Sequence, residues 1–215
     1  MYGEGGNFCS GFDLEELAKM DPEKPIVRPP GEEERGFGFM GPTRRFIKKP
    51  LIAAVNGFAV GGGFELALMC DMRVADESAI FGFFNRKHGV PLIDGGTVRL
   101  PALIGLSRSL DLIMTGRQLK AKEACEMGVV NRVVPTGAAL GQAVQLANSL
   151  AARPPKCLQA DRRAAYYSTF NAGSLTKALE FEFMYSSNVI TSEAIHGAKK
   201  FFEAKKNKEQ DEATV

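Results

Sequence analysis

The sequence predicts an α/β core followed by a wholly helical region, and two features of the chain lead to that class. Short apolar runs at residues 51–55, 72–75 and 129–134, bounded by Gly, Pro and Asn, alternate with helical segments, the pattern of strand–turn–helix units. After Pro135 the strand pattern stops and helical periodicity continues to the end. A length of 215 residues with 45% hydrophobic and 24% charged residues is enough for one substantial core with a helical addition. The boundary is expected near Pro135, giving an α/β core over 1–136 and a helical region over 137–215.

Residues 13–20 read as a short helix, with Asp13 as N-cap and an acidic first turn that suits the helix dipole. Residues 21–42, with Pro22, Pro25, Pro29, Pro30 and Pro42, form a long loop or lid, because the apolar pattern resumes directly beyond it. Residues 51–55 then read as a buried strand, followed by the turn Asn56-Gly57 and the triplet Gly61-Gly62-Gly63 opening a helix over 64–70. Residues 72–75 are a strand, 82–96 irregular, and 97–104, 107–114 and 121–127 helices, the last capped by Gly128. Beyond the strand at 129–134 the expected helices are 138–152, 155–168, 173–189 and 191–205, with a polar tail over 206–212 that should fray.

The totals exclude several classes. A formal charge of +2 demands neither nucleic acid nor an anionic membrane surface. Cys9, Cys70, Cys125 and Cys157 have no CxxC spacing, and with two histidines the chain offers little for a metal site. The cysteines read as reduced structural thiols of an intracellular protein. No apolar stretch approaches the ~20 residues of a membrane span. The turn-like run at residues 3–7 has no preceding element, which reads as a chain that begins part-way into a domain.

Chemistry concentrates in residues 7–14 and 49–71. A glycine triplet at a helix start presents N–H groups that have no partner within the helix, at the positive end of its dipole. A developing oxyanion suits such a place, and Ser10-Gly11, before another helix start, could supply a second donor. Glu65, on the first turn, brings a carboxylate to whatever the donors hold. The plainer reading is close packing by Gly61–Gly63 with Glu65 as a dipole-stabilising surface residue. A dinucleotide fingerprint is excluded, because Gly57-x-x-x-Gly61-Gly62-Gly63 does not match GxGxxG.

These two segments resemble the paired oxyanion motifs of the enoyl-CoA hydratase/isomerase (crotonase) family, in order and separation. The resemblance continues through residues 75–82, 89–101, 112–116 and 121–134 and into the helical tail, including 151–155. It implies a crotonase-like ββα spiral core, truncated at its N-terminus, with a C-terminal helical region that packs trimers or dimers of trimers together. It implies an acyl-CoA substrate, no separate cofactor, and a mitochondrial or cytoplasmic location.

Carried over by position, the resemblance makes the N–H groups of Ser10 and Gly62 the oxyanion hole. Ser10, Gly11, Phe12, Asp13, Gly61 and Gly62 become the substrate-binding residues, and Glu65 the first catalytic glutamate. The family's second glutamate falls on Asn85, which can hold a water but cannot take its proton. Asp94 is the nearest spare carboxylate, either a second acid or the N-cap of the helix starting near Gly96. Loop 21–42 would shape the acyl pocket, and lysines near the C-terminus could meet CoA phosphates. A shortened core would leave a sheet edge unpaired.

The implied activity is hydration of a 2-enoyl-CoA through a stabilised enolate, the alternatives being isomerisation or related enolate chemistry. From a different class, a non-catalytic acyl-CoA-binding or assembly subunit also fits. A Ser10–His88–Asp94 hydrolase triad is disfavoured, because Phe8 stands where GxSxG needs glycine. His196 reads as a solvated or interface residue.

Overall fold

A computed structural model describes residues 1–24 and 37–212, with side chains up to residue 207. The centre of the 21–42 loop therefore lies outside the described residues. The chain forms two compact units, Met1–Ala147 and Asn148–Val215.

The first unit opens with a short helix α1 (Leu14–Ala18) capped by Asp13, and its central strands and helices follow a repeating path. Strand β1 (Ile52–Val55) lies in one sheet and β2 (Phe58–Val60) in a second, and helix α2 (Gly62–Met69) returns the chain to the first. The next turn repeats the step with β3 (Met72–Asp76) beside β1 and β4 (Ile80–Gly82) beside β2, both parallel. Helices α3 (Gly96–Ile104) and α4 (Leu106–Thr115) follow, then β5 (Leu119–Lys120), α5 (Ala121–Glu126) and β6 (Arg132–Val134). Strand β5 closes the second sheet antiparallel to β4, and β6 pairs with β3 in parallel, giving the orders β1-β3-β6 and β2-β4-β5. This is the expected ββα spiral. Helix α6 (Ala139–Ala151) is the last element to begin in this unit.

Strand β1 is buried at every position, as its continuous apolar run implies for a strand covered on both faces. Helix α2 is buried nearly all round: Phe64 is fully enclosed and its ring packs 5.3 Å from Phe81 and 4.8 Å from Phe83, centroid to centroid. The C-terminal carbonyls of α2 are met by the buried Arg73. Its guanidinium donates to Cys70 O (2.6 Å), Ala67 O (3.2 Å) and Val129 O (2.6 Å), which offsets the cost of burying the charge.

Among the described residues β1 is an outer strand of its sheet, and its free edge meets only the first two residues of the chain. Met1 N donates to Ile52 O (2.8 Å), Ala54 N donates to Met1 O (2.9 Å), and Tyr2 pairs in parallel with Ala54.

In the second unit, α7 (Pro155–Phe170) and α8 (Leu175–Val189) form a hairpin in which Tyr167 stacks on Phe181 with centroids 3.9 Å apart. A π-turn over Ile190–Ala194 leads into α9 (Ile195–Glu212). It carries Glu193, whose carboxylate accepts from Lys156 N (3.2 Å) and Cys157 N (2.7 Å), capping α7. Helix α9 runs into the polar tail as far as Glu212. Among the described residues no helix is long and apolar enough to cross a membrane.

Candidate active site

One half of the site is made of backbone. Phe8 and Cys9 run beside β2, with Cys9 N donating to Phe58 O (2.9 Å) and Val60 N to Cys9 O (3.0 Å). This lays Ser10-Gly11 against the start of α2. Gly11 has φ +94°, and a Cβ there would lie 2.9 Å from both Gly62 N and Val60 O. A Cβ on Gly63 would collide with the Cys9 carbonyl. The two glycine-bearing segments thus approach as closely as main chain allows, which answers why both carry glycine. Gly61 N donates to Gly82 O (2.9 Å), and Phe64 N and Glu65 N both donate to Gly61 O. Among the described residues, the N–H groups of Ser10 and Gly62 donate to nothing. The α2 dipole adds positive potential at that end.

The other half is made of side chains. Glu65 is buried at 3% exposure, and its Oε1 accepts from Asp94 N (3.0 Å) and Gly96 N (2.8 Å) at the start of α3. Burial pushes the Glu65 carboxyl above the usual carboxylate range. The two backbone donors and Arg99 pull it back in part, while the neighbouring Asp94 charge adds to the rise.

Asp94 is equally buried. Its Oδ1 accepts from the Thr43 hydroxyl and from Met40 N (3.2 Å). Asp94 is therefore not the N-cap of α3; that position is Gly95, which makes no side-chain cap bond. Each carboxylate thus anchors one oxygen. Among the described residues no hydrogen bond reaches Glu65 Oε2 or Asp94 Oδ2.

Asn85 sits in a 3₁₀ turn over Phe84–His88. Its Nδ2 donates to Val90 O (2.7 Å), and its buried Oδ1 has no partner. A Cβ on Gly61 would lie 3.6 Å from that oxygen, so the amide faces the glycine triplet.

A cavity of about 450 Å³ joins the two halves. Ser10, Phe12, Gly61, Gly62, Glu65, Asn85 and Asp94 all line it, and so do the apolar Leu14, Leu17, Met20, Phe39 and Ile93. Gly11 and Asp13 do not: Gly11 packs on α2, and Asp13 Oδ1 is turned to cap α1, accepting from Glu15 N (2.8 Å) and Glu16 N (3.4 Å). His88 lines the cavity too, yet among the described residues it makes no hydrogen bond to Asp94, so the hydrolase triad is not assembled. His196 is an exposed residue of α9.

Among the described residues no group of three or more His, Cys, Asp or Glu is placed to hold a metal ion. All four cysteines are free, and burial pushes the Cys70 thiol up to about 11. Sequence reasoning missed Met40, Thr43 and Arg99. Their role depends on contacts across more than fifty residues of chain, and no local pattern announces it.

Comparison with known proteins agrees with this geometry. Residues 1–211 match the family described as enoyl-CoA hydratase/isomerase. The chain is 40% identical over 169 residues to enoyl-CoA hydratase EchA19 of Mycobacterium tuberculosis, covering 75% of this chain and 60% of that protein. It is 36% identical over 162 residues to a short-chain-enoyl-CoA hydratase of Clostridium acetobutylicum, covering 74% of this chain and 59% of that protein. These relatives are longer, and the matched stretch spans about three fifths of their length. Among solved structures, an enoyl-CoA hydratase subunit of Geobacillus kaustophilus superposes with a TM-score of 0.82 at 37% identity, over 94% of this chain and 76% of that one. With its spiral of ββα turns and its glycine-built helix start facing a buried glutamate, the chain belongs to the enoyl-CoA hydratase/isomerase family.

Proposed function

We propose that the chain carries the site of an enoyl-CoA hydratase, adding water to a 2-enoyl-CoA or removing it from the product. One observation carries this reading: a single cavity holds the unpartnered N–H groups of Ser10 and Gly62 and, beside them, two buried carboxylates each with a free oxygen.

The thioester oxygen would accept from Ser10 N–H and Gly62 N–H. As water oxygen bonds to C3, a carboxylate takes the water proton and the C2=C3 electrons move onto the thioester oxygen as an enolate. Two fixed N–H donors and a helix N-terminus favour that charge over the neutral carbonyl. The enolate then collapses as C2 takes a proton from a carboxyl group, so a proton and a hydroxyl have been added across the double bond.

Glu65 suits the acid/base role, because it lines the cavity and burial raises its proton affinity above that of an ordinary carboxylate. Asp94 is the second acid, and Asn85, with an unpartnered Oδ1, orients the water. Ser10, Gly11, Phe12, Asp13, Gly61 and Gly62 would form the substrate path, Gly11 through the backbone and Asp13 by holding α1. Isomerisation is the second reading. It is favoured by Asn85 standing where a second glutamate would be, since one carboxyl suffices to carry a proton between C2 and C4.

The substrate would be an intracellular acyl-CoA, met in the mitochondrion or cytoplasm, with coenzyme A as part of the substrate and no further cofactor. Residues 137–215 would serve oligomerisation into trimers or dimers of trimers. The exposed Leu175 (75%), Phe183 (73%), Met184 (68%) and Phe201 (66%) of the second unit support this.

Purified protein incubated with crotonyl-CoA tests the function. Loss of the conjugated-enoyl absorbance is expected in the wild type. Tight binding of the CoA ester without turnover would instead leave a non-catalytic acyl-CoA-binding subunit.

A further inference from the structure

Thr43 is a buried polar side chain in contact with Asp94 that the reaction scheme leaves unused. It lies at 0% exposure in a 3₁₀ turn over Pro42–Arg44, with its hydroxyl on Asp94 Oδ1. A buried hydroxyl that serves only its own loop bonds a nearby backbone group. This one bonds a carboxylate that lines the cavity.

The surroundings are built around that contact. Gly38 N donates to Gly41 O (2.6 Å) and Gly41 N to Gly38 O (3.0 Å), a tight turn that aims Met40 N at the same Asp94 oxygen. A Cβ on Gly38 would collide with both Asp94 Oδ1 and Thr43 Oγ1, so glycine there leaves the room the pair occupies. From α3, Arg99 donates to Asp94 O (2.8 Å) and to Thr43 O, clamping the two backbones together.

We propose that Thr43 is a positioning residue: its hydroxyl holds Asp94 Oδ1 and so leaves Oδ2 as the oxygen that exchanges protons with the substrate. The inference rests on the hydratase reading above. It assigns to the otherwise unremarkable Gly-Pro-Thr turn at residues 41–43 a part in the chemistry.

The test is a double-mutant cycle on crotonyl-CoA hydration with Thr43→Val, Thr43→Ser, Asp94→Asn and the Thr43→Val/Asp94→Asn pair. A hydrogen bond to a charged group is worth enough to change a rate by ~10–10²-fold. Thr43→Val, which keeps the shape and loses the donor, should lower kcat by about that factor with KM nearly unchanged. Thr43→Ser should restore most of it. In the Asp94→Asn background, Thr43→Val should have no further effect on kcat.

A loss confined to KM, an additive cycle, or a serine variant no better than valine would overturn the inference while leaving hydration intact. Absence of turnover in the wild type would remove the hydratase reading and this inference with it, so the two failures are told apart by the first measurement. If Thr43→Val does not fold, Thr43→Ala, which also removes the hydroxyl, and its pair with Asp94→Asn carry the same cycle, and additive losses there count against the inference.

Discussion

The two halves of the site are built on opposite principles. The oxyanion half, Ser10-Gly11 against Gly61-Gly62-Gly63, is main chain throughout, held by strand pairing at Cys9 and by glycines that admit no side chain. The acid half, Glu65 with Asp94, Thr43, Asn85 and Arg99, is side chain gathered from four separate stretches of sequence. Main-chain donors are fixed by the fold itself and cannot be exchanged residue by residue. Side-chain acids can be replaced without disturbing the spiral. On the hydratase reading, the oxyanion site is thus tied to the fold, while the acid site is open to substitution one residue at a time.

Glu65 stands on α2, the helix whose start forms the oxyanion half, and its substitution should have the largest effect. Glu65→Gln keeps an oxygen to accept from Asp94 N and Gly96 N but cannot transfer a proton. Hydration should fall by ~10²–10⁴-fold in kcat with the fold retained, measured by steady-state kinetics beside circular dichroism.

Next is a contrast within the oxyanion half. Gly11→Ala puts a Cβ on the backbone of Gly62 at a φ of +94°, and should displace a donor and cost ~10²-fold in kcat. Gly62→Ala meets only the flexible Met40 side chain, 2.6 Å away at its Cγ, and should cost much less. Equal losses in the two variants would contradict the account of the close approach.

In the acid half, Asn85→Glu should raise hydration by roughly tenfold. That is less than a fully placed acid supplies, because the Nδ2 bond to Val90 O is given up. An unchanged rate would remove Asn85 from its assigned position.

The smallest effect is on stability. The folded state raises the Glu65 proton affinity above its ordinary value, so it binds more protons than the unfolded chain at intermediate pH. Stability due to this group is then fully present below the ordinary carboxylate range and is lost as pH rises through the raised value. Glu65→Gln does not titrate. Its melting temperature relative to wild type should therefore rise from acid to neutral pH, as differential scanning calorimetry would show. A gap that narrows with pH would reverse the assigned cause.

The same contrast explains what could be read from the sequence. Glycines at 61–63, Ser10-Gly11 and the buried run at 51–55 are local signals, each legible where it stands; the α/β core and a candidate donor site followed from them, while the spiral and the pairing of Ser10 with Gly62 came from the family resemblance those segments carry. Strands β2, β4 and β5, of three, three and two residues, are too short to show alternation and were invisible. The acid half was legible only as candidate residues. Asp94 could be named, but whether it capped a helix or faced the cavity depended on Thr43 and Met40, more than fifty residues away. Arg73 is similar, an apparently surface-type residue in a strand that proves to be fully enclosed among carbonyls.

The central claim is that main-chain N–H groups at Ser10 and Gly62 polarise a thioester. The difference infrared spectrum of carbonyl-labelled crotonyl-CoA bound to Glu65→Gln, where turnover is blocked, tests it most directly. The account predicts a carbonyl stretch at lower frequency than in water, moving back toward the solution value when Gly11→Ala is added. A bound carbonyl with the solution frequency, insensitive to Gly11→Ala, would contradict it.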